Sequence, residues 1–125
     1  MKAVLDAGVF LGVERRDRRI GAMLRVLEQR RVPLWTSAGV VAQVWRNGAR
    51  QALLARVLAG TGIQSLGTED GKRTGQLQGV ARTDDVVDAH LALTVASGDH
   101  VLTSDPRDIA RLLAARGVEA TVVRI

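Results

Sequence analysis

The chain has 125 residues, 46% of them apolar, and carries a formal charge of +5; this is one domain's worth of sequence, long enough to bury a core without covalent staples. Its mean hydropathy of +0.07 comes with no apolar run near the roughly 20 residues that span a bilayer, and Met1 to Asp6 meets an acid before a signal-type stretch develops. These features exclude a disordered chain and a membrane protein, and they predict a single cytoplasmic domain over residues 1–125.

There is no cysteine, which rules out disulfides, thiolate metal sites and a cysteine nucleophile, so any metal must sit on oxygen or histidine. Lys2 and Lys72 are the only lysines, so the basic side is almost all arginine. Arginine forks suit phosphates and carboxylates, which favours a polyanionic substrate or an acidic partner. The same balance fits a chain that uses arginine as its default surface cation, and charge alone does not decide between them. Aromatic residues make up 2% of the chain, too few for the stacking platforms of single-strand binding modules.

In chain order, Lys2 to Asp6 is a short apolar strand that ends in an acid, the pattern of a central parallel strand with its carboxyl end at a site. Asp17 caps an amphipathic helix with Ile20, Met23, Leu24 and Leu27 on one face. Val32 to Thr36 is a second strand, and Ser37 caps a helix that Asn47-Gly48 ends or bends. Ala49 to Ala59 is helical, Gly60-Thr61-Gly62 a turn, Ile63 to Leu66 a short edge strand, and Thr68 to Arg82 a helix despite three glycines. Thr83 introduces a helix with an acidic first turn, Asp84-Asp85-Val86-Val87-Asp88. His100 to Thr103 is the next strand; Pro106 opens a helix that Gly117 closes, and Val118 to Ile125 is the last strand. Strands alternating with helices predict a three-layer α/β/α sandwich around a central parallel sheet.

Three aspartates stand where such a sheet gathers functional groups: Asp6 after the first strand, Asp88 in the acidic helix start, and Asp105 after the strand ending at Thr103. Carboxylates brought together repel one another unless a divalent cation neutralises them, and Mg²⁺ prefers an all-oxygen shell. Aspartates at helix starts also serve as caps, a reading open for Asp84 and Asp85 in particular. His90, the histidine near the acids, is a candidate metal ligand or proton shuttle, but it falls two residues after Asp88, about 200° around the helix axis, which favours a packing role.

Val4-Leu5-Asp6, the segment Val87-Asp88-Ala89-His90-Leu91-Ala92 and the segment Val101-Leu102-Thr103-Ser104-Asp105 together resemble PIN domains, especially VapC-type toxins of bacterial toxin–antitoxin pairs, in order and spacing over nearly the whole chain. The resemblance implies a PIN-like fold and acids holding Mg²⁺ or Mn²⁺. It further implies endoribonuclease activity, homodimerisation, and inhibition by a small antitoxin protein. Carried over position by position, Asp6, Asp88 and Asp105 match three of the family's four acids. The fourth, usually a glutamate on the helix after the second strand, is Gln43 here, and Ala7-Gly8 replaces the hydroxyl residue that often follows the first aspartate. An amide offers a metal one neutral oxygen but no charge.

Two readings of Gln43 follow. Either Asp84 or Asp85 supplies the missing charge, with Asp108 as an outer contact, or the site is weakened and the chain serves as an RNA- or protein-binding module. In the enzyme reading, Asp6, Asp88 and Asp105 hold one or two Mg²⁺ ions for phosphodiester hydrolysis. Thr103 orients a water or the Asp105 carboxylate, and Arg46, Arg50 and Arg107 contact phosphates. A phosphoacceptor receiver domain is a rival by fold, but it needs a lysine near the last strand and both lysines are far from it.

Overall fold

In a computed structural model describing residues 1–125, five parallel strands run in the order β3-β2-β1-β4-β5: β1 Ala3–Leu5, β2 Leu34–Ser37, β3 Thr61–Gln64, β4 His100–Thr103 and β5 Thr121–Arg124. β1 lies at the centre with all three residues buried, as a strand covered on both faces requires. The helices are α1 Ala7–Glu14, α2 Arg18–Gln29, α3 Ala38–Val44, α4 Ala52–Ala59, α5 Thr68–Ala81, α6 Val86–Leu93 and α7 Pro106–Arg116, with a 3₁₀ turn at Gly48–Arg50. α1 packs against α2, α3 and α4, and α5, α6 and α7 pack against one another, giving the two outer layers. The groups meet where α3 touches α6, an approach that Gly39 permits: a Cβ there would stand 3.2 Å from the Val87 side chain.

The chain steps from β1 to β2 and β3 on one side, then crosses back to β4 and β5 on the other. The reversal opens a crevice at the carboxyl ends of β1 and β4, where open α/β sheets place their ligands. Lys2 and Asp99 tie the opposite ends of the same two strands, since Asp99 accepts both the Lys2 backbone N–H and its ammonium.

β5 is shorter than the Val118–Ile125 read from sequence and β3 ends at Gln64 rather than Leu66, and three further differences have a physical cause. Ala7–Glu14 is a helix that no amphipathic period announced; Asp6 is its N-cap, and Arg16 just beyond it adopts a left-handed conformation without the usual glycine. Thr61 and Gly62 belong to β3 rather than to a turn, because Gly62 lies under the Trp35 indole on the neighbouring strand. The fourth helix starts at Ala52, after the 3₁₀ turn, rather than at Ala49. A Cβ on Gly62 would come within 2.6 Å of the indole. Gly62→Ala is therefore expected to destabilise the fold by about 1–3 kcal/mol. The penalty should shrink in a Trp35→Leu background, read by denaturant unfolding of the four-protein cycle; an undiminished penalty would locate the strain elsewhere.

Candidate metal-binding acidic site

Asp6 follows β1 and is 7% exposed. Its Oδ1 accepts the Ala7 N–H at 2.7 Å, capping α1, and its Oδ2 accepts the hydroxyl of fully buried Thr103 at 2.6 Å. The Thr103 oxygen in turn accepts the Asp105 N–H at 2.9 Å. One threonine at the end of β4 thus joins the Asp6 carboxylate to the Asp105 backbone. The sequence reading gave Thr103 to a water or to the Asp105 carboxylate; its partners are instead the Asp6 carboxylate and the Asp105 main chain.

Asp105 stands at the N-cap position of α7, just before Pro106, and Asp108 lies in the helix's first turn. Carboxylate oxygens of Asp88, Asp105 and Asp108 lie within 4.8 Å of one another. Asp88 reaches this group from the first turn of α6, where Asp85 caps the helix by accepting the Asp88 N–H at 2.9 Å. Burial drives the Asp88 carboxyl up to about 7, with the charges of Asp6, Asp85, Asp105 and Asp108 adding to it. Asp105 is also raised, first by its hydrogen bond with Asp108, then by desolvation and by the charges of Asp108 and Asp6.

Asp88, Asp105 and Asp108 form the close group, Asp108 although the sequence reading placed it outside; Asp6 is not one of the three but stands beside them, near enough for its charge to press on Asp88 and Asp105. The i,i+3 spacing puts Asp108 on the Asp105 side of α7, but that it meets Asp88 depends on how α6 and α7 face each other. Asp85 adds charge to Asp88; Asp84, exposed, is not among the charges pressing on it. Gln43 is exposed in the last turn of α3. An all-oxygen donor set held together against its own repulsion fits a hard divalent cation.

The other candidates fall outside the cluster. His90 is buried at the interface of α5 and α6, its Nε2 3.2 Å from Asp70 Oδ2. The Arg46 guanidinium donates to the Ala42 and Trp45 carbonyls at its own helix end. Arg50 lines a separate cavity of about 200 Å³ with Glu14 and Arg16. Arg107, exposed between Asp105 and Asp108, is the arginine of the three that shares a turn with the acids.

This chain has the PIN-like α/β fold, a five-stranded parallel sheet between helical layers with acids gathered at its crevice. Among solved structures, it is similar to a chain of the crystal structure of VapBC2 from Rickettsia felis bound to a DNA fragment from their promoter, with a TM-score of 0.71 at 12% sequence identity over 98% of this chain and 98% of that one. No protein-family model matches the sequence, and no curated protein matches it.

A carboxyl that keeps its proton to about 7 when folded, but to 3.8 when unfolded, stabilises the fold below pH 4 and loses that contribution as pH rises through 7. Asp88 is only partly buried, so solvent screening reduces the effect to about 1 kcal/mol. In metal-free buffer Asp88→Asn should match the native protein near pH 4 and melt about 3–6 °C higher at pH 8. Thermal unfolding monitored by circular dichroism checks this, and a native protein equal to the variant at both pH values contradicts it.

Proposed function

We propose that the protein is a Mg²⁺- or Mn²⁺-dependent endoribonuclease and the toxin of a toxin–antitoxin pair. The observation that carries the reading is the cluster of Asp88, Asp105 and Asp108 beside Asp6 at the carboxyl ends of β1 and β4, with Asp88 pushed to about 7 in the absence of a cation. The fold shared with VapBC2 supports the toxin assignment and a small antitoxin as partner. The absence of any helix long and apolar enough to cross a membrane is compatible with a cytoplasmic place of action.

Asp6, Asp88, Asp105 and Asp108 are the residues that would hold the cation. A divalent ion bound there supplies charge to offset the attacked phosphate and makes water acidic enough to act as nucleophile near neutral pH. The chain's own part is positional. Thr103 and the Ala7 N–H leave the Asp6 carboxylate no freedom to swing away. Asp105 is raised, first by its hydrogen bond with Asp108, and Asp88 can hold or release a proton at its carboxylate near neutral pH. Arg107 stands in the same turn for contact with an RNA phosphate.

Gln43 supports a narrower second reading, an RNA- or protein-binding module, because an exposed amide brings no charge to the site. Asp108 in the inner group favours the enzyme. Calorimetry should detect Mn²⁺ binding that Asp6→Asn with Asp88→Asn abolishes. Total RNA should be cleaved with Mg²⁺ or Mn²⁺ at a rate that Asp105→Asn lowers at least about 100-fold, the scale of losing an electrostatic contact to the reacting centre. RNA left intact by native protein that binds Mn²⁺ would select the binding module. Gln43→Glu separates the two further: a modest gain fits compensation by the neighbouring aspartates, and a many-fold gain fits a weakened site.

A further inference from the structure

β5 is a sheet edge, and it is flanked by an apolar groove on each face. On one face Val123 lines a cavity of about 430 Å³ with Met23, Val26 and Leu27 of α2; on the other, Val122 lines one of about 430 Å³ with Leu113 and Ala114 of α7. Val26 is 44% exposed and Met1, at the rim of the first groove, 65%. Thr121 and Ile125 donate their N–H groups to Asp99 and Thr103 on the β4 side. By the alternation of a strand, the N–H and C=O groups of Val122 and Arg124 face outward. The Arg124 carbonyl already accepts from Arg19 at 3.2 Å; the other three groups are open to a partner.

The charges around the edge define what fits. Arg19 and Arg30 line the first groove and Arg124 lies on the strand itself, while Glu119 is the single acid in the second groove. A second copy paired to β5 would set these arginines against their own kind, which cross-strand pairing disfavours. We infer that β5 is a strand-addition site for an extended segment of a partner protein, with apolar residues at its centre and acids at its ends. Main-chain bonds to Val122 and Arg124 supply the register, alternate side chains enter the two grooves, and the acids meet Arg19, Arg30 and Arg124. The surface uses none of the clustered aspartates, so it stands whether or not that cluster cleaves RNA.

The probe is the synthetic peptide Asp-Glu-Val-Leu-Val-Glu-Asp, added to the full chain and followed by residue-resolved hydrogen exchange. Saturating peptide should slow exchange of the Val122 and Arg124 amides at least ten-fold, leaving Thr121 and Ile125, already bonded to β4, unchanged. The same peptide methylated on alternate amides should bind at least ten-fold more weakly. Val122→Pro, which removes an outward N–H and no bond to β4, should abolish the protection. Equal binding of the methylated peptide, or no protection at millimolar concentration, overturns the proposal. So does a homodimer of the protein alone that shields both amides and dissociates in Val122→Pro, since the occupant is then a second copy.

Discussion

The site depends on holding like charges together. Asp88, Asp105 and Asp108 bring carboxylate oxygens within 4.8 Å of one another, and Asp88 is raised first by burial and then by the charges of its acidic neighbours. Such crowding persists only where the backbone is over-determined. Here the constraint is the adjacency of β1 and β4, whose register aligns Leu5 with Leu102 and delivers Asp6 and Asp105 to one crevice. Lys2 and Asp99 fix the far ends of the same strands, so the acid pair cannot relax apart by sliding.

Thr103 turns that adjacency into orientation. Its hydroxyl donates to Asp6 and accepts from the Asp105 N–H, so a single buried side chain sets both the Asp6 rotamer and the turn that launches α7. Asp6 likewise has two roles, as helix cap for α1 and as a wall of the crevice. An isosteric Val at position 103 would leave the buried Asp6 oxygen and the Asp105 N–H short of a partner, a loss of about 1–3 kcal/mol for each group left unpaired.

The sheet was legible because its strands are short apolar runs separated by capped helices; Asp17, Ser37 and Gly117 act in the structure as their residue types suggest. α1 was illegible because its residues are nearly all apolar or small and its ends carry no ordinary punctuation: its cap is a residue that also reads as a site acid, and an arginine rather than a glycine takes the left-handed position after it. Thr61-Gly62 looked like a turn because glycine signals one locally, while its reason is the Trp35 ring on the next strand, a contact no local pattern contains. In the site, Asp6, Asp88 and Asp105 were placed by the strand–helix pattern and family spacing. The rank of Asp108 over Asp84 was not readable, since it depends on how α7 and α6 face each other across the crevice.

The charge map bears on how a polyanion would approach. Asp6, Asp85, Asp88, Asp105 and Asp108 are five of the thirteen acids, so the remaining eight are set against eighteen lysines and arginines. Apart from Arg107, the crevice is acidic, while cations outnumber acids in the rest of the chain. A polyanion would be drawn to the arginine-rich surface and repelled at the crevice until a cation or protons neutralise it. Contact with the acids is then conditional on their neutralisation, whereas contact with the basic surface is not. On that separation, an acidic partner at an arginine-bearing edge and a cation in the crevice would not compete for the same groups.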